Sequence, residues 1–474
     1  MRRTILRIGA ALAAALALAP AARAGGPSLL VGATEDAVRR PTLVEAKAQM
    51  DLIRLAGFRG VRITQVWAPG HTTLSPEDAA ILSNVTAAAK LDGIEVIASV
   101  LNADARTTPL SDTDQADFAA FAASLVTTVP AIRHLIVGNE PNLNLYWLPQ
   151  FDGAGGDAAA AAYETLLART YDAVKAADPD VEVIGGAVSP HGNDKPDGVR
   201  LTHSPTTFIP DLGAAYRASG RTTPIMDAFA FHPYEDNSSI EPVKGLHPKS
   251  TTVAIGDYGK LVALLGQAFD GTAQAGSQLP IYYDEFGVQT QIPAAKASLY
   301  TGAEPAQTKP VAVQTQARFY REAVQLAFCE PTVRGLFLFH SVDETDLHAW
   351  QSGLYYPDGT AKTSLPGVRL AIAQARRGVV ARCPGLRLTP RARASQHGSK
   401  LVLSCDIDCT FVAQLWSLPG RRLATVHGRA IGGTPKTLPL HAPKSGGSYR
   451  LRLSVQAAVN RGKASLVLLN LRRG

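Results

Sequence analysis

Short β-branched or apolar runs alternate along the chain with longer stretches in which apolar residues recur every three or four positions. The runs are Ser28–Gly32, Gly60–Gln65, Ile94–Leu101, His134–Gly138, Val181–Gly185, Ala228–Phe231, Ile281–Asp284 and Gly335–Phe339. Each is short and mainly apolar, and most are followed by Gly, Pro or polar residues, which suits parallel strands buried on both sides. Between them, Leu43–Ala56, Pro76–Leu91, Asp114–Thr128, Ala158–Ala177, Ile209–Ser219, Gly256–Phe269 and Thr315–Phe328 carry the helical period. Eight strands alternating with helices predict the α/β class and a (β/α)8 TIM barrel. An open doubly wound sheet is the alternative, but Val31-Gly32-Ala33-Thr34-Glu35 stands where its Gly-rich phosphate loop belongs.

After Leu365–Ala375, a helix able to close the barrel, the period changes to two. Leu401–Ser404, Thr410–Leu415, Arg422–His427, Lys436–Leu440, Ser448–Val455 and Lys463–Asn470 read as strands separated by turn residues. The clearest puts Tyr449, Leu451, Leu453 and Val455 on one face and Arg450, Arg452, Ser454 and Gln456 on the other. A small, immunoglobulin-like β-sandwich over 387–474 is expected, following a barrel domain over 25–386.

Residues 1–24 form neither domain. Arg2, Arg3 and Arg7 precede an apolar stretch from Ile8 to Ala19, and Ala22-Arg23-Ala24 offers small residues at a cleavage site, the pattern of a signal peptide. The apolar run is too short for a transmembrane anchor, which needs about 20 residues. Export agrees with the four cysteines, for which Cys405/Cys409 plus Cys329/Cys383 is the simplest of three disulfide pairings. No second close ligand pair accompanies them, so no zinc site is expected. The formal charge of +7 conceals a division. Residues 25–390 hold 29 Lys/Arg against 38 Asp/Glu, whereas 391–474 hold 14 against 2. In an exported protein the basic tail has no nucleic acid to meet. A well-charged solvated surface is the simplest role for it, and an anionic cell-wall polymer or membrane surface the alternative partner.

In a barrel of this kind the chemistry sits where strands end. The fourth strand delivers Asn139-Glu140-Pro141-Asn142, and the seventh delivers Asp284-Glu285-Phe286-Gly287. Glu140 and Glu285 therefore reach the mouth from opposite sides. Paired carboxyls are what glycosidic cleavage requires: one protonates the departing oxygen and the other meets positive charge at the anomeric carbon. A gap of about 5–5.5 Å allows direct attack and retention, and about 6.5–9.5 Å leaves room for water and inversion.

This constellation resembles the retaining β-glycosidases of glycoside hydrolase clan A (GH-A), typified by cellulases, mannanases and xylosidases. The resemblance rests on Asn139-Glu140, Glu285, Arg62 on the second strand and His232-Pro233-Tyr234 after the sixth, and spans residues 28–350. It implies an acid/base role for Glu140, a nucleophilic role for Glu285, support of Glu285 by Arg62 and Tyr234, and no cofactor or metal. Asn139 is the expected contact to the sugar 2-hydroxyl. Trp67, Tyr146, Trp147 and Trp350 are candidates to stack on sugar faces, with core packing as the competing role. Asn102 and His191 are expected to face the same pocket. The chain departs from the clan at strand eight, where Phe337-Leu338-Phe339-His340 lacks the usual Trp platform. Either His340 or Trp350 would take that place. Asp343-Glu344-Thr345-Asp346 reads as a solvated acidic loop, with Ca²⁺ binding as the alternative.

The function expected is thus a secreted retaining β-glycosidase acting on a polysaccharide or oligosaccharide. A non-catalytic carbohydrate-binding or surface-attachment protein on the same barrel is the rival, opposed by the presence of both carboxylates. A metal-dependent hydrolase is a third reading, but no His-x-His follows strand one.

Overall fold

The computed structural model describes residues 25–418, 420–441 and 448–471, so the proposed signal peptide lies outside the described residues. Eight parallel strands, β1 (Leu30–Thr34), β2 (Gly60–Trp67), β3 (Glu95–Asn102), β4 (His134–Val137), β5 (Glu182–Val188), β6 (Ala228–Phe231), β7 (Ile281–Phe286) and β8 (Val333–Phe339), pair in sequence order. β8 closes onto β1, with Leu30 opposite Gly335 and Thr34 opposite Phe339. The barrel expected from the alternating pattern is the one observed. Its first strand starts two residues later than expected, because Gly26–Ser28 forms a 3-10 turn. That shift carries Thr34 and Glu35 to the barrel mouth.

The outer helices are α1 (Leu43–Ala56), α2 (Pro76–Asp92), α3 (Asp112–Thr128), α4 (Ala158–Ala177), α5 (Pro205–Ala218), α6 (Tyr258–Phe269), α7 (Val313–Cys329) and α8 (Leu365–Arg376). Their starts follow local chemistry. Thr42, Ser75, Ser111 and Asp157 each accept a hydrogen bond from a backbone N–H in the first turn of the helix that follows. α1 and α2 end on Gly57 and Gly93, whose φ values of 92° and 64° reverse the chain. No described helix is long and apolar enough to cross a membrane.

Inside the barrel, Ile97, Ile136, Ile184, Ala228, Ala230, Tyr282 and Phe337 form a dry layer. Beneath it, at the N-terminal end, His134 bonds Glu182 at 2.7 Å and Glu95 at 2.9 Å. Tyr282 and Arg334 also donate to Glu182. The polar plug and the dry layer together separate the functional mouth from the opposite end.

Seven strands follow: β9 (Ala392–His397), β10 (Lys400–Cys405), β11 (Cys409–Ser417), β12 (Arg422–Ala430), β13 (Lys436–His441), β14 (Tyr449–Ala457) and β15 (Ser465–Leu471). They form antiparallel sheets of order β13-β10-β9 and β12-β11-β14-β15. Leu451, Leu453 and Val455 are buried in a separate core, as the alternation on β14 requires. β9 was not anticipated. Its inward residues Ala392 and Ala394 are too small to mark a hydrophobic period. The disulfides Cys329–Cys383 and Cys405–Cys409 are the expected pairs. Ile407 and Ala457 pack into the barrel's hydrophobic cluster, and polar bonds join the two domains. Arg377 holds Asp408 by two bonds of 2.8 and 2.6 Å, and Asn460 bonds the backbone of Ala381 and Cys383.

The plug makes barrel stability depend on pH. Burial by itself lowers the His134 pKa, but the bonds to Glu182 and Glu95 outweigh it and raise the value from 6.5 to about 9. The stabilisation is therefore complete below 6.5 and is lost as pH rises through about 9. His134→Asn should cost up to about 3 kcal/mol near pH 6 and progressively less toward pH 9.5, measured by urea unfolding across that range.

Candidate active site

Each residue at the mouth is aimed by local backbone chemistry. At the end of β4, Gly138 has φ 84° and Glu140 has φ 40°, two left-handed residues in three positions. A Cβ on Gly138 would stand 3.1 Å from the Tyr163 ring, so the close approach and the turn both call for glycine. Tyr163 in turn donates to Val137 O and accepts from Gly186 N, tying β4 to β5 beneath the turn. The Glu140 N–H is secured on Ala187 O at 2.8 Å. On β7 the pairing register shifts between Tyr283 and Phe286. This irregularity lets the consecutive residues Asp284 and Glu285 engage the same pair of cations, which regular alternation would forbid.

Arg62 and His232 are those cations. Arg62 reaches Glu285 Oε1 at 2.7 Å, Asn139 Oδ1 at 3.0 Å, Ser99 Oγ at 3.3 Å and Asp284 Oδ2 at 3.6 Å. His232 Nε2 donates to Asp284 Oδ2 at 3.3 Å, and its Nδ1 donates to Glu140 Oε1 at 3.0 Å. The same Nδ1 lies 3.5 Å from Glu285 Oε2, which also accepts the Tyr234 hydroxyl at 3.0 Å. Two oxygens at 3.0 and 3.5 Å from one nitrogen are at most about 6.5 Å apart. Glu140 and Glu285 thus converge on a single point, with their side chains 14% and 11% exposed at the mouth while His232 is fully buried.

The electrostatics follow from this crowding. Burial pushes the His232 imidazole down, but the charges of Glu285 and Asp284 prevail and hold it well above the ordinary histidine value. Burial pushes Asp284 up, and His232 followed by Arg62 reverses this and keeps its carboxyl below the usual range. Burial raises the Tyr234 hydroxyl, and Glu285 and Glu140 push it further the same way. Tyr234 is therefore a neutral donor to Glu285. Tyr146 is raised first by burial and then by Glu140 and Glu285, so its hydroxyl lies within their field.

The remaining expected residues divide. Asn139 accepts from Arg62 through Oδ1. Trp350 packs at 4.8 Å on Tyr234 and at 5.4 Å on Phe339, over Gly287. His340 stacks on Phe339 and bonds Thr34 O at 2.8 Å. Trp350, not His340, thus supplies the aromatic surface beside Tyr234. His191 sits at the rim near Asp236, within the field of Glu140. Two aromatic expectations are corrected. Trp67 is fully buried against Phe118, and Trp147 is 1% exposed against Tyr163, so both are core residues with no face for a sugar. Asn102 spends its amide on Asp104 O and Tyr146 O, holding the loop that carries Tyr146 and not reaching for substrate. Asp343 is also corrected: it is buried, paired with Lys362 at 2.8 Å and bonded by Tyr300. Lys362 further bonds Thr290 and the Gln351 carbonyl, fixing the segment that carries Trp350. No trio of His, Cys, Asp or Glu among the described residues is arranged to hold a metal ion. Asp284 and Ser99 escaped sequence reasoning. The adjacency of Asp284 to Glu285 was the available signal, and Ser99 carried none.

No family model matches this sequence, and no curated protein does. Solved structures do match. A glucosidase from Croceicoccus marinus has 12% identity and a TM-score of 0.50, over 87% of this chain and 93% of that one. The fold is shared with that glucosidase. A monomeric β-xylosidase from Caulobacter crescentus has 15% identity and a TM-score of 0.46, covering 89% of this chain and 96% of that one. A β-glucuronidase from Bacteroides uniformis has 13% identity and a TM-score of 0.45, covering 94% of this chain. This chain spans 46% of the length of that glucuronidase.

Removing one of the charges around His232 should be visible in its titration. In Asp284→Asn the imidazole value should fall toward 6.5, whereas in the wild type it stays protonated through neutral pH. Histidine NMR titration reads the difference, and unchanged titration would remove Asp284 from the charge balance.

Proposed function

We propose that the protein is an exported retaining β-glycosidase acting on a polysaccharide or its oligosaccharides. The convergence of Glu140 and Glu285 on His232 Nδ1 carries this reading. One oxygen of each glutamate lies within about 6.5 Å of the other, a range that includes the short gap of direct displacement. The charges also fit. Arg62 and Tyr234 orient Glu285 as the nucleophile, one bond to each of its oxygens. Glu140 stands on the other side of the cleft to protonate the leaving oxygen and later to take a proton from water. Asn139 donates to the 2-hydroxyl, a contact that tightens as the transition state forms. Tyr146 and Trp350 offer apolar faces to the sugar.

The leader-like residues 1–24 and the two disulfides support export. The surplus of positive charge in 391–474 supports association with an anionic polymer at the cell surface.

Glu285→Ala should lower turnover of an aryl β-glycoside or a defined oligosaccharide by at least about 10⁴-fold, and azide should restore a product of inverted configuration. Undiminished hydrolysis would exclude Glu285 from the reaction. Tyr234→Phe removes one hydrogen bond to a charged group and should lower kcat/KM by roughly 10- to 100-fold without loss of fold.

A further inference from the structure

The outer face of the β12-β11-β14-β15 sheet has no role in the barrel chemistry. Its composition follows from the register. Thr410 stands between Arg429 and Gln456, Val412 between His427 and Ser454, Gln414 between Thr425 and Arg452, and Trp416 between Arg422 and Arg450. Leu466 and Leu468 extend the middle rows onto β15, each 55% exposed. None of the four strands contains an Asp or Glu.

The two acids of residues 391–474 are engaged elsewhere. Asp408 is held by Arg377, and Asp406 accepts the backbone N–H groups of Arg391 and Ile407. Arg450 donates to Asn470, while Arg422, Arg429 and Arg452 are exposed and form no ion pair among the described residues. The residues that join sandwich and barrel, Ile407, Asp408, Ala457 and Asn460, lie outside this face, on which Arg422, His427, Arg429 and Arg452 are exposed. Between β11, β12 and β14 lies a depression of about 420 Å³, bounded by Thr410, Val412, His427, Arg429, Ser454 and Gln456.

We infer that this face binds a polyanionic polysaccharide, a glycan bearing carboxylate groups along its length. The site refines the polymer contact proposed above, on which it rests, and uses no step of the barrel reaction. Its chemistry is mixed in the way such a chain requires. Arg429, Arg452 and Arg422 meet separate carboxylates, Thr410, Ser454 and Gln456 exchange hydrogen bonds with hydroxyls, and Val412, Leu466 and Leu468 meet C–H surfaces. Single-stranded nucleic acid needs a series of stacking platforms, and Trp416, at one end, is the sole Phe, Tyr or Trp that the register places on this face. The acidic barrel repels the same polymer, so the protein would engage it sandwich first.

The test uses the full chain and measures sedimentation with polygalacturonate, with fully methyl-esterified polygalacturonate as the uncharged counterpart. The wild type should bind the acid form and not the ester, with affinity falling as salt rises. Arg429→Gln/Arg452→Gln should weaken binding by about tenfold or more. Arg393→Gln/Lys400→Gln, the same charge change on the other sheet, should leave it unaltered, and both variants should keep wild-type glycoside turnover. No binding by the wild type would overturn the polymer contact altogether. Equal loss in the two variants, or none in the first, would overturn the face alone. Equal binding of the ester would overturn the anionic class. Tighter binding of duplex DNA or phosphatidylglycerol vesicles, lost in the first variant, would replace the glycan by nucleic acid or membrane.

Discussion

Two buried cations, Arg62 and His232, stand among three carboxylates at the barrel mouth, Arg62 within reach of Glu285 and Asp284, and His232 of Glu140, Asp284 and Glu285. Like charges at this spacing would repel strongly in a poorly hydrated site, and burying any one without a partner would cost several kcal/mol. Asp284 is the quiet member of the set. It is fully buried and, together with the larger influence of Glu285, favours the protonated form of His232, in which the imidazole donates from both nitrogens. The imidazolium donates from Nε2 to Asp284 and from Nδ1 to Glu140, with Glu285 at 3.5 Å from the same Nδ1, whereas a neutral histidine could donate from one nitrogen only. The positive charge that lies between the two glutamates is thus held in part by a third acid, fully buried on the far side of the ring.

The frame supplies what this cluster requires from below and from above. Beneath it, the dry layer around Ile97, Ile136, Ile184 and Phe337 closes the barrel to water. Above it, loops are cross-tied by buried polar groups: Glu35 accepts from Ser341 and Val342, and Lys362 bonds Asp343, Thr290 and Gln351 O. These ties fix Trp350 against Tyr234, and Tyr234 against Glu285. Rigid support of this kind keeps a carboxylate oriented before any ligand arrives. The sandwich, joined to the barrel through Asp408 and Asn460, adds a surface of opposite charge.

The barrel was legible in the sequence because a strand buried on both faces must be almost wholly apolar, and because helices announce themselves by caps such as Ser75, Ser111 and Gly93. Strand ends then located Glu140 and Glu285 without any distance being known. The aromatics were less legible. Trp67 and Trp350 both lie near strand ends, yet one is sealed in the core and the other stands on Tyr234. Side-chain direction in loops depends on contacts that no local period encodes.

What the residues by themselves determined was the order of elements, the inward and outward faces of β14, and which acids could reach the mouth, since each follows from a repeat of two or 3.6 and from chain order. Tertiary structure alone decided which groups share a proton or a charge. A register shift on β7 turned Asp284 toward the same cations as Glu285, and Ser99 and Asn139 met Arg62 across distances of 37 and 77 residues. Such meetings are set by barrel closure, which brings remote strands side by side, and so they leave no trace in the spacing of the residues concerned.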